Sequence, residues 1–455
     1  MAERMPGKVS VYTLGCSKNR VDSEHLMRQL ENGGWDVIPD AGPEDYPLDV
    51  LVINTCGFIH DAREESVDHI LEAIQAKEEG KIGRVLVMGC LSGRYKTSLE
   101  KEIPQADAFF GVDDLPLITA SLGVRYDPVL STERMLSTPA HYAYLKLSEG
   151  CDRGCAYCAI PLIRGGHVSR PRKQLVAEAR SLAAQGVAEL ILVAQDTSYY
   201  GLDLTGKREL ASLMEDLCRM DDIKRIRLLY TYPQGFPLDV LKLMAQEPKI
   251  CKYVDIPLQH ISDKVLTAMR RNTTKSETMQ LIEDFRKFVP GICLRTTLMV
   301  GHPGEDEKAF SELLDFVKDA AFERMGAFTY SREEGTYGAL HLKDTVPSKV
   351  KRERYGRLME LQQGISYACN RSRVGSVYSV LADYTIREEG NASAQGDVPD
   401  TPAGKVTVLG RSQYEAPEVD GYVILENAPD VMPGTFVKAR IVHANEYDLY
   451  AELTD

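Results

Sequence analysis

The stretch EGCDRGCAYCAIP, residues 149–161, places Cys151, Cys155 and Cys158 in a C-x3-C-x2-C spacing. Structural zinc sites take four tetrahedral ligands, most often as two C-x2-C pairs, and this triplet does not supply them. A [4Fe–4S] cluster is normally held by four thiolates. Three thiolates leave one iron without a protein ligand, with a coordination position for a small molecule.

The surrounding chain says where such a position would face. From Tyr142 the runs AYLKLS, ELILVAQ, RIRLLY, YVDIPL, CLRTTLMVG and RMGAFTY read as strands. Helices are predicted between them over 173–185, 208–219, 237–246, 263–270, 276–288 and 306–319. This alternation predicts a (βα) barrel or most of one, closed by a long helix over 348–370. The triplet follows the first strand, on the side where such barrels place their sites. An open iron there suits S-adenosylmethionine, which chelates through its amino and carboxylate groups and is cleaved at its sulfonium by an electron from the cluster. Tyr157, between the second and third cysteines, is expected beside that cofactor.

Upstream, KVSVYTLG, DVLVINTC and RVLVMGC read as strands, with helices over 18–32 and 61–77. Ala62, Val67, Ile70, Leu71 and Ile74 form the inner face of the second helix. Each strand end delivers one cysteine: Cys16, Cys56 and Cys90. In open parallel sheets ligands sit beyond the carboxyl ends of the strands, so these three thiols should converge. Residues 111–141 read as a linker. After Arg371, five short β-rich runs separated by Gly, Pro and Asp turns predict a small five-stranded barrel. A polar loop is expected over 388–404. The fold class is therefore α/β, with an N-terminal α/β domain over 7–125, a partial barrel over 137–370 and an all-β domain over 371–455.

Composition narrows the function classes. The 455 residues are 44% hydrophobic and 27% charged, as in globular proteins. There is no apolar run long enough for a membrane span and no secretory signal pattern at the N-terminus, so a cytoplasmic location and no membrane partner are expected. A net charge of −13 argues against general nucleic-acid binding. Ten cysteines in a reducing compartment point to metal binding or catalysis where they cluster. Cys218, Cys251, Cys293 and Cys369 have no partner spacing and are read as core residues.

The triplet resembles that of the radical S-adenosylmethionine superfamily, and LGCSKNRVDSE, NTCGF, GCLSGRY and GCDRGCAYCAIPLIRGGHVSRP are similar to the methylthiotransferases within it. The resemblance covers essentially the whole chain, including a TRAM-like C-terminal domain. It implies that Cys16, Cys56 and Cys90 hold a second [4Fe–4S] cluster beside the one on Cys151, Cys155 and Cys158. One branch of these enzymes modifies an adenosine next to the anticodon of transfer RNA. The other modifies an aspartate on the twelfth protein of the small ribosomal subunit. LGCSKNRVDSE, NTCGFIHDAREES, AQDTSYYG and GRSQYEAPEVDG resemble the second branch, whereas the first typically has GQNVNSY in place of AQDTSYY. Charge agrees: residues 371–455 carry 7 Lys/Arg against 14 Asp/Glu, which suits a basic ribosomal protein better than RNA.

The resemblance further implies two molecules of S-adenosylmethionine, one donating a methyl group to sulfur at the N-terminal cluster and one cleaved to abstract hydrogen from the aspartate β-carbon. A flavodoxin- or ferredoxin-type reductant, a monomeric enzyme and a substrate met free or on the assembled subunit are expected. No catalytic residue is expected beyond the cluster ligands. Polar residues at barrel strand ends are the candidates for cofactor contacts: Gln195, Asp196, Asp255, Gln259 and Arg295, with Tyr157. The turn GHPGE, 301–305, brings backbone close to the adenine by the same resemblance. The basic stretch RRNTTK, 270–275, is read as solvated surface.

Overall fold

The structure is a computed structural model that describes residues 7–387, 406–426, 428–429 and 431–454. The polar loop expected over 388–404 lies outside the described residues.

The chain opens with β1 (Lys8–Thr13), α1 (Ser17–Asn32), β2 (Asp36–Pro39), β3 (Leu48–Thr55), α2 (His60–Glu78), β4 (Ile82–Gly89), α3 (Cys90–Glu102), β5 (Ala108–Phe109) and α4 (Leu115–Ser121). The five strands form one parallel sheet in the order β2-β1-β3-β4-β5. The apolar run DVLVINT in β3 is explained by burial on both faces. Leu51 and Ile53 pack with Ile70 and Ala73 of α2, while Val50 and Val52 pack with Leu26 and Leu30 of α1. The order reverses between β1 and β3, and crevices for ligands form at such switch points.

One expectation fails in this half, and one helix was not foreseen. Residues 111–141 are not a bare linker. They include α4 and a 3-10 turn over Pro128–Thr132, and Ile118, Leu122 and Val124 complete the core beneath α1. The segment is short of periodicity because it fills one edge of an existing core rather than building its own. Helix α3, which begins at Cys90 itself, was also not anticipated, because its polar sequence leaves only Cys90, Leu91, Ser92 and Leu99 buried.

The central unit begins with β6 (Tyr142–Lys146), followed by the short hairpin-like pair β7 (Ser148–Glu149) and β8 (Val168–Ser169), with α5 (Ile160–Arg164) between them. Then come β9 (Glu189–Val193), β10 (Arg225–Leu228), β11 (Ile250–Asp255), β12 (Cys293–Val300) and β13 (Arg324–Thr329). Six strands pair in parallel in the order β13-β12-β11-β10-β9-β6. This is the partial barrel expected from the βα alternation. Leu190, Leu192, Ile226, Leu228, Val254 and Leu298 face the surrounding helices in the largest apolar core of the molecule. The inner face carries Tyr144, Ile191, Tyr253 and Cys293.

The C-terminal unit is a closed five-stranded barrel of β14 (Val377–Arg387), β15 (Val406–Arg411), β16 (Val423–Leu425), β17 (Phe436–Ala444) and β18 (Leu449–Leu453). The first part of its GRSQYEAPEVDG loop, through Pro417, turns inward, while Glu418 and Val419 stay exposed. It inserts beneath the partial barrel, where Arg411 binds Glu189 at 2.8 Å and Asp383 at 2.6 Å. Arg225 and Arg227 donate to the carbonyls of Arg411, Ser412 and Gln413, and Tyr253 donates to Asp420 at 2.7 Å. Ala416 packs among Tyr142, Tyr144 and Tyr253. Several of the charges counted toward an acidic surface therefore belong to this buried joint. Among the described residues no helix is long and apolar enough to cross a membrane.

Candidate metal centre

Cys16 caps α1, Cys56 follows the last residue of β3, and Cys90 opens α3 directly after β4. The three lie at the switch point of the first sheet. Asn19 ties them together. Its amide donates to the carbonyls of Leu14 and Thr55, each at 3.0 Å, and its carbonyl oxygen lies 3.5 Å from Sγ of Cys90. Gly15 has φ +88°, and a Cβ there would stand 2.8 Å from Cβ and 3.0 Å from Sγ of Cys56. A left-handed glycine lets the Cys16 loop close onto Cys56. Cys56 and Cys90 are drawn together in the same way, since a Cβ on Gly57 would lie 2.8 Å from the carbonyl carbon of Cys90.

Cys151, Cys155 and Cys158 sit on the loop between β7 and α5. The Cys151 amide donates to Gly165, the Cys158 amide to Cys155, and the Ala156 amide to Met269. Sγ of Cys155 lies 3.6 Å from the hydroxyl of Tyr232 and 3.6 Å from Nη1 of Arg271. Burial pushes Cys151 up to about 11 and, with the neighbouring Cys155, Cys158 up to about 12. Cys90 is likewise pushed up to about 11 by burial. Cys16 differs: burial raises it, but Lys18, Arg164 and the first amides of α1 hold it below its ordinary value.

The two triads meet. Cys90 packs with Ala159, the neighbour of Cys158, and with Ile163 of α5. Arg164, at the end of the same helix, donates from Nε to Sγ of Cys90 at 3.3 Å and from Nη2 to Asn19 at 2.6 Å. Asp22 and Glu149 hold its other side at 3.2 and 2.8 Å, and Lys146 completes this buried group with both acids. Glu149 is affected first by burial, which raises it, but Lys146 and Arg164 prevail and hold it down to about 2.

The sequence candidates fall into two groups. Tyr157 is half-buried; its hydroxyl accepts from Nη1 of Arg271 at 3.3 Å, and its ring meets His302 edge-on. Gln195 donates to Glu149 at 2.9 Å, and Asp196 accepts from Arg153 at 2.7 Å, so both flank the Cys151 loop. Gln259 is held at φ +72° with its backbone bonded to Thr297 and Met299. Asp255 and Arg295 pair with each other at 2.9 Å, deeper in the barrel, and Arg295 also approaches Asp420 at 3.6 Å. His302 of GHPGE is buried between Tyr157 and Tyr330, and burial holds it down to about 4.

Arg271 was misread as surface. It is 3% exposed, lies over Tyr232, and donates to the carbonyl of Pro257. No local pattern announces this, because its partners are distant in sequence. Arg164, Asn19 and Lys18 were also missed, although they stand within six residues of a cysteine in the very motifs quoted above.

These residues fit iron–sulfur clusters and a polar organic cofactor. Buried polar atoms around the second triad lack partners: Oε1 of Gln195, Oε1 of Gln259, Nε of Arg271 and Nε2 of His302. Buried polar atoms in native proteins are normally satisfied, so these point to a ligand.

A partial parallel barrel with three thiols beyond its first strand defines a radical S-adenosylmethionine enzyme. The description "Radical SAM superfamily" matches residues 145–317, "Uncharacterized protein family UPF0004" matches 8–111, and "TRAM domain" matches 374–454. The fold is similar to that of the radical S-adenosylmethionine methyltransferase TsrM from Kitasatospora setae, with a TM-score of 0.56 and 15% identity over 74% of this chain and 77% of that one. The chain is 50% identical to the ribosomal protein uS12 methylthiotransferase RimO of Flavobacterium johnsoniae, over 98% of each. It is 48% identical to the RimO of Christiangramia forsetii, over 98% of this chain and 94% of the relative. The chain belongs to the RimO family of ribosomal protein uS12 methylthiotransferases.

Proposed function

We propose that this enzyme adds a methylthio group to the β-carbon of an aspartate on ribosomal protein uS12, using two three-thiolate [4Fe–4S] centres that face a common chamber. The observation that carries the two-centre reading is the contact between the triads: Cys90 against Ala159, with Arg164 joining them. Such clusters with S-adenosylmethionine supply reductive cleavage and hydrogen-atom abstraction, which no side-chain base achieves at an unactivated C–H bond.

The chain's own residues supply position and shelter. Cys151, Cys155 and Cys158 hold the cluster that binds S-adenosylmethionine, and Cys16, Cys56 and Cys90 hold the one that carries sulfur. Tyr157, Gln195, Asp196 and Gln259 bind the cofactor's polar groups. The unpartnered oxygens of Gln195 and Gln259 support this reading. Asp255 and Arg295 fix the floor of the chamber, since each already neutralises the other. The C-terminal barrel closes the lower mouth of the central unit and keeps water and oxygen out. A flavodoxin- or ferredoxin-type reductant and a cytoplasmic, monomeric enzyme complete the proposal.

The test is anaerobic reconstitution followed by assay on a peptide from uS12. Cys151→Ala should abolish 5′-deoxyadenosine formation. Cys56→Ala should retain it and stop methylthiolation. Equal loss of both activities in both variants would contradict the division of labour.

A further inference from the structure

Lys18 is a buried cation with no carboxylate in ion-pair contact among the described residues. It is 8% exposed, on the second residue of α1, and its Nζ stands 3.4 Å from the centre of the Tyr230 ring. Tyr230 is the aromatic face it rests on, and Cys16 of the N-terminal triad lies two residues before it. The buried cations nearby are arranged otherwise. Lys146 and Arg164 share Asp22 and Glu149. Removing an ammonium from water is costly unless anions face it; the Cys16 thiolate is one, and the carboxylates that pair Lys146 and Arg164 do not reach Lys18.

Its position matches that need. Tyr230 follows β10 at the carboxyl edge of the partial barrel, where its amide donates to Asp255 at 3.0 Å. Cys16 is two residues away in the N-terminal sheet. Lys18 therefore spans the seam between the sulfur-carrying triad and the barrel mouth. A carboxylate bound there would hold its adjacent carbon in that seam, one bond from the charged group.

We propose that the Lys18 ammonium binds the side-chain carboxylate of the substrate aspartate and so sets the enzyme's preference for an acidic residue. The assignment rests on the reading of uS12 as substrate. It explains how one methylene is selected: anchoring the carboxylate positions the β-carbon, whereas an amide of the same shape leaves the cation unpaired.

The test measures binding of two uS12 loop peptides, one with the target aspartate and one with asparagine there, to anaerobic holoenzyme. Wild-type protein should bind the aspartate peptide about tenfold or more tighter, the size expected for a charge-assisted contact. Lys18→Met should bind both peptides within about twofold of each other, with most of the loss falling on the aspartate peptide. Iron per chain is measured for each variant, and Lys18→Gln replaces Lys18→Met if the latter loses iron. Persistent preference in the variants would overturn the assignment, as would equal binding of the two peptides by wild-type protein. A change in cluster reduction potential with the preference intact would assign Lys18 to the cluster's charge and overturn it too. Methylthiolation of transfer RNA with no modification of the peptide would refute the uS12 reading and the assignment with it. Modification of the peptide with equal binding would refute the assignment alone.

Discussion

Nε of Arg164 lies 3.3 Å from Sγ of Cys90, across the boundary between the N-terminal sheet and the central barrel. The donor comes from the helix that follows Cys158, and the acceptor belongs to the other triad. One guanidinium thus touches both halves of the site, and its charge is balanced by Asp22 and Glu149.

Arg164→Met should therefore have two effects. It leaves Asp22 and Glu149 buried with Lys146 as their remaining cation, which costs on the order of 3–5 kcal/mol of stability. It also removes the hydrogen bond to Sγ of Cys90, and the potential of the cluster proposed there should fall. Denaturant unfolding of the apoprotein reads the first, and a redox titration followed by electron paramagnetic resonance reads the second. An unchanged potential would show that the contact carries no electronic weight.

Two glycines separate the triads genetically. Gly15 permits the approach of Cys16 to Cys56, and a Cβ on Gly150, at φ +68°, would stand 1.9 Å from the carbonyl oxygen of Gly166. Gly15→Ala should remove about half the iron while S-adenosylmethionine cleavage continues. Gly150→Ala should do the reverse, displacing the Cys151 loop and stopping cleavage. Iron analysis with a 5′-deoxyadenosine assay checks both.

Docking of the C-terminal barrel should be sensitive to acid. Burial raises Glu189, but Arg411 and Arg227 prevail and hold it down to about 2. A carboxyl depressed on folding contributes stability that is complete above its unfolded value of about 4.3 and is lost as pH falls towards its folded value. Apoprotein should keep the joint closed from pH 7 to about 5 and release it between about 4 and 2. Limited proteolysis with pepsin across that window should then cut between the long helix ending at Arg371 and the barrel. Cleavage already at pH 6 would contradict the assignment.

Glu189→Gln should loosen the same joint at neutral pH. It leaves Arg411 with Asp383 alone and takes from Arg227 the carboxylate it binds at 2.9 Å, at a cost of about 3–5 kcal/mol. Hydrogen exchange should rise in residues 411–420 while the N-terminal sheet is unaffected. Uniform loss of protection throughout the chain would instead mark Glu189 as essential to the whole fold.

The parts legible in the sequence were those with local patterns. Strand runs ending in Cys16, Cys56 and Cys90 predicted a shared edge, and the chain places them there. The βα alternation predicted the partial barrel, and the turn-rich tail predicted five strands. What stayed hidden depends on contacts between distant segments. Arg271 is polar and sits in a basic run, so nothing local distinguishes it from surface; only the packing of its loop against Tyr232 buries it. Nothing local in GRSQYEAPEVDG shows that it docks, because Arg225 and Arg227, which donate to its carbonyls, and Arg324, which pairs with Glu415, come from strands far upstream. The segment 111–141 hid α4 because its apolar residues serve another element's core.

The central claim is that two centres, each one thiolate short, share a chamber. The most direct measurement is iron and acid-labile sulfide per chain in anaerobically reconstituted wild-type protein, beside a Cys16→Ala/Cys56→Ala/Cys90→Ala variant. About eight irons are expected in the wild type, four for each centre, and about four in the variant, which should still cleave S-adenosylmethionine. About four irons in both proteins would contradict the account.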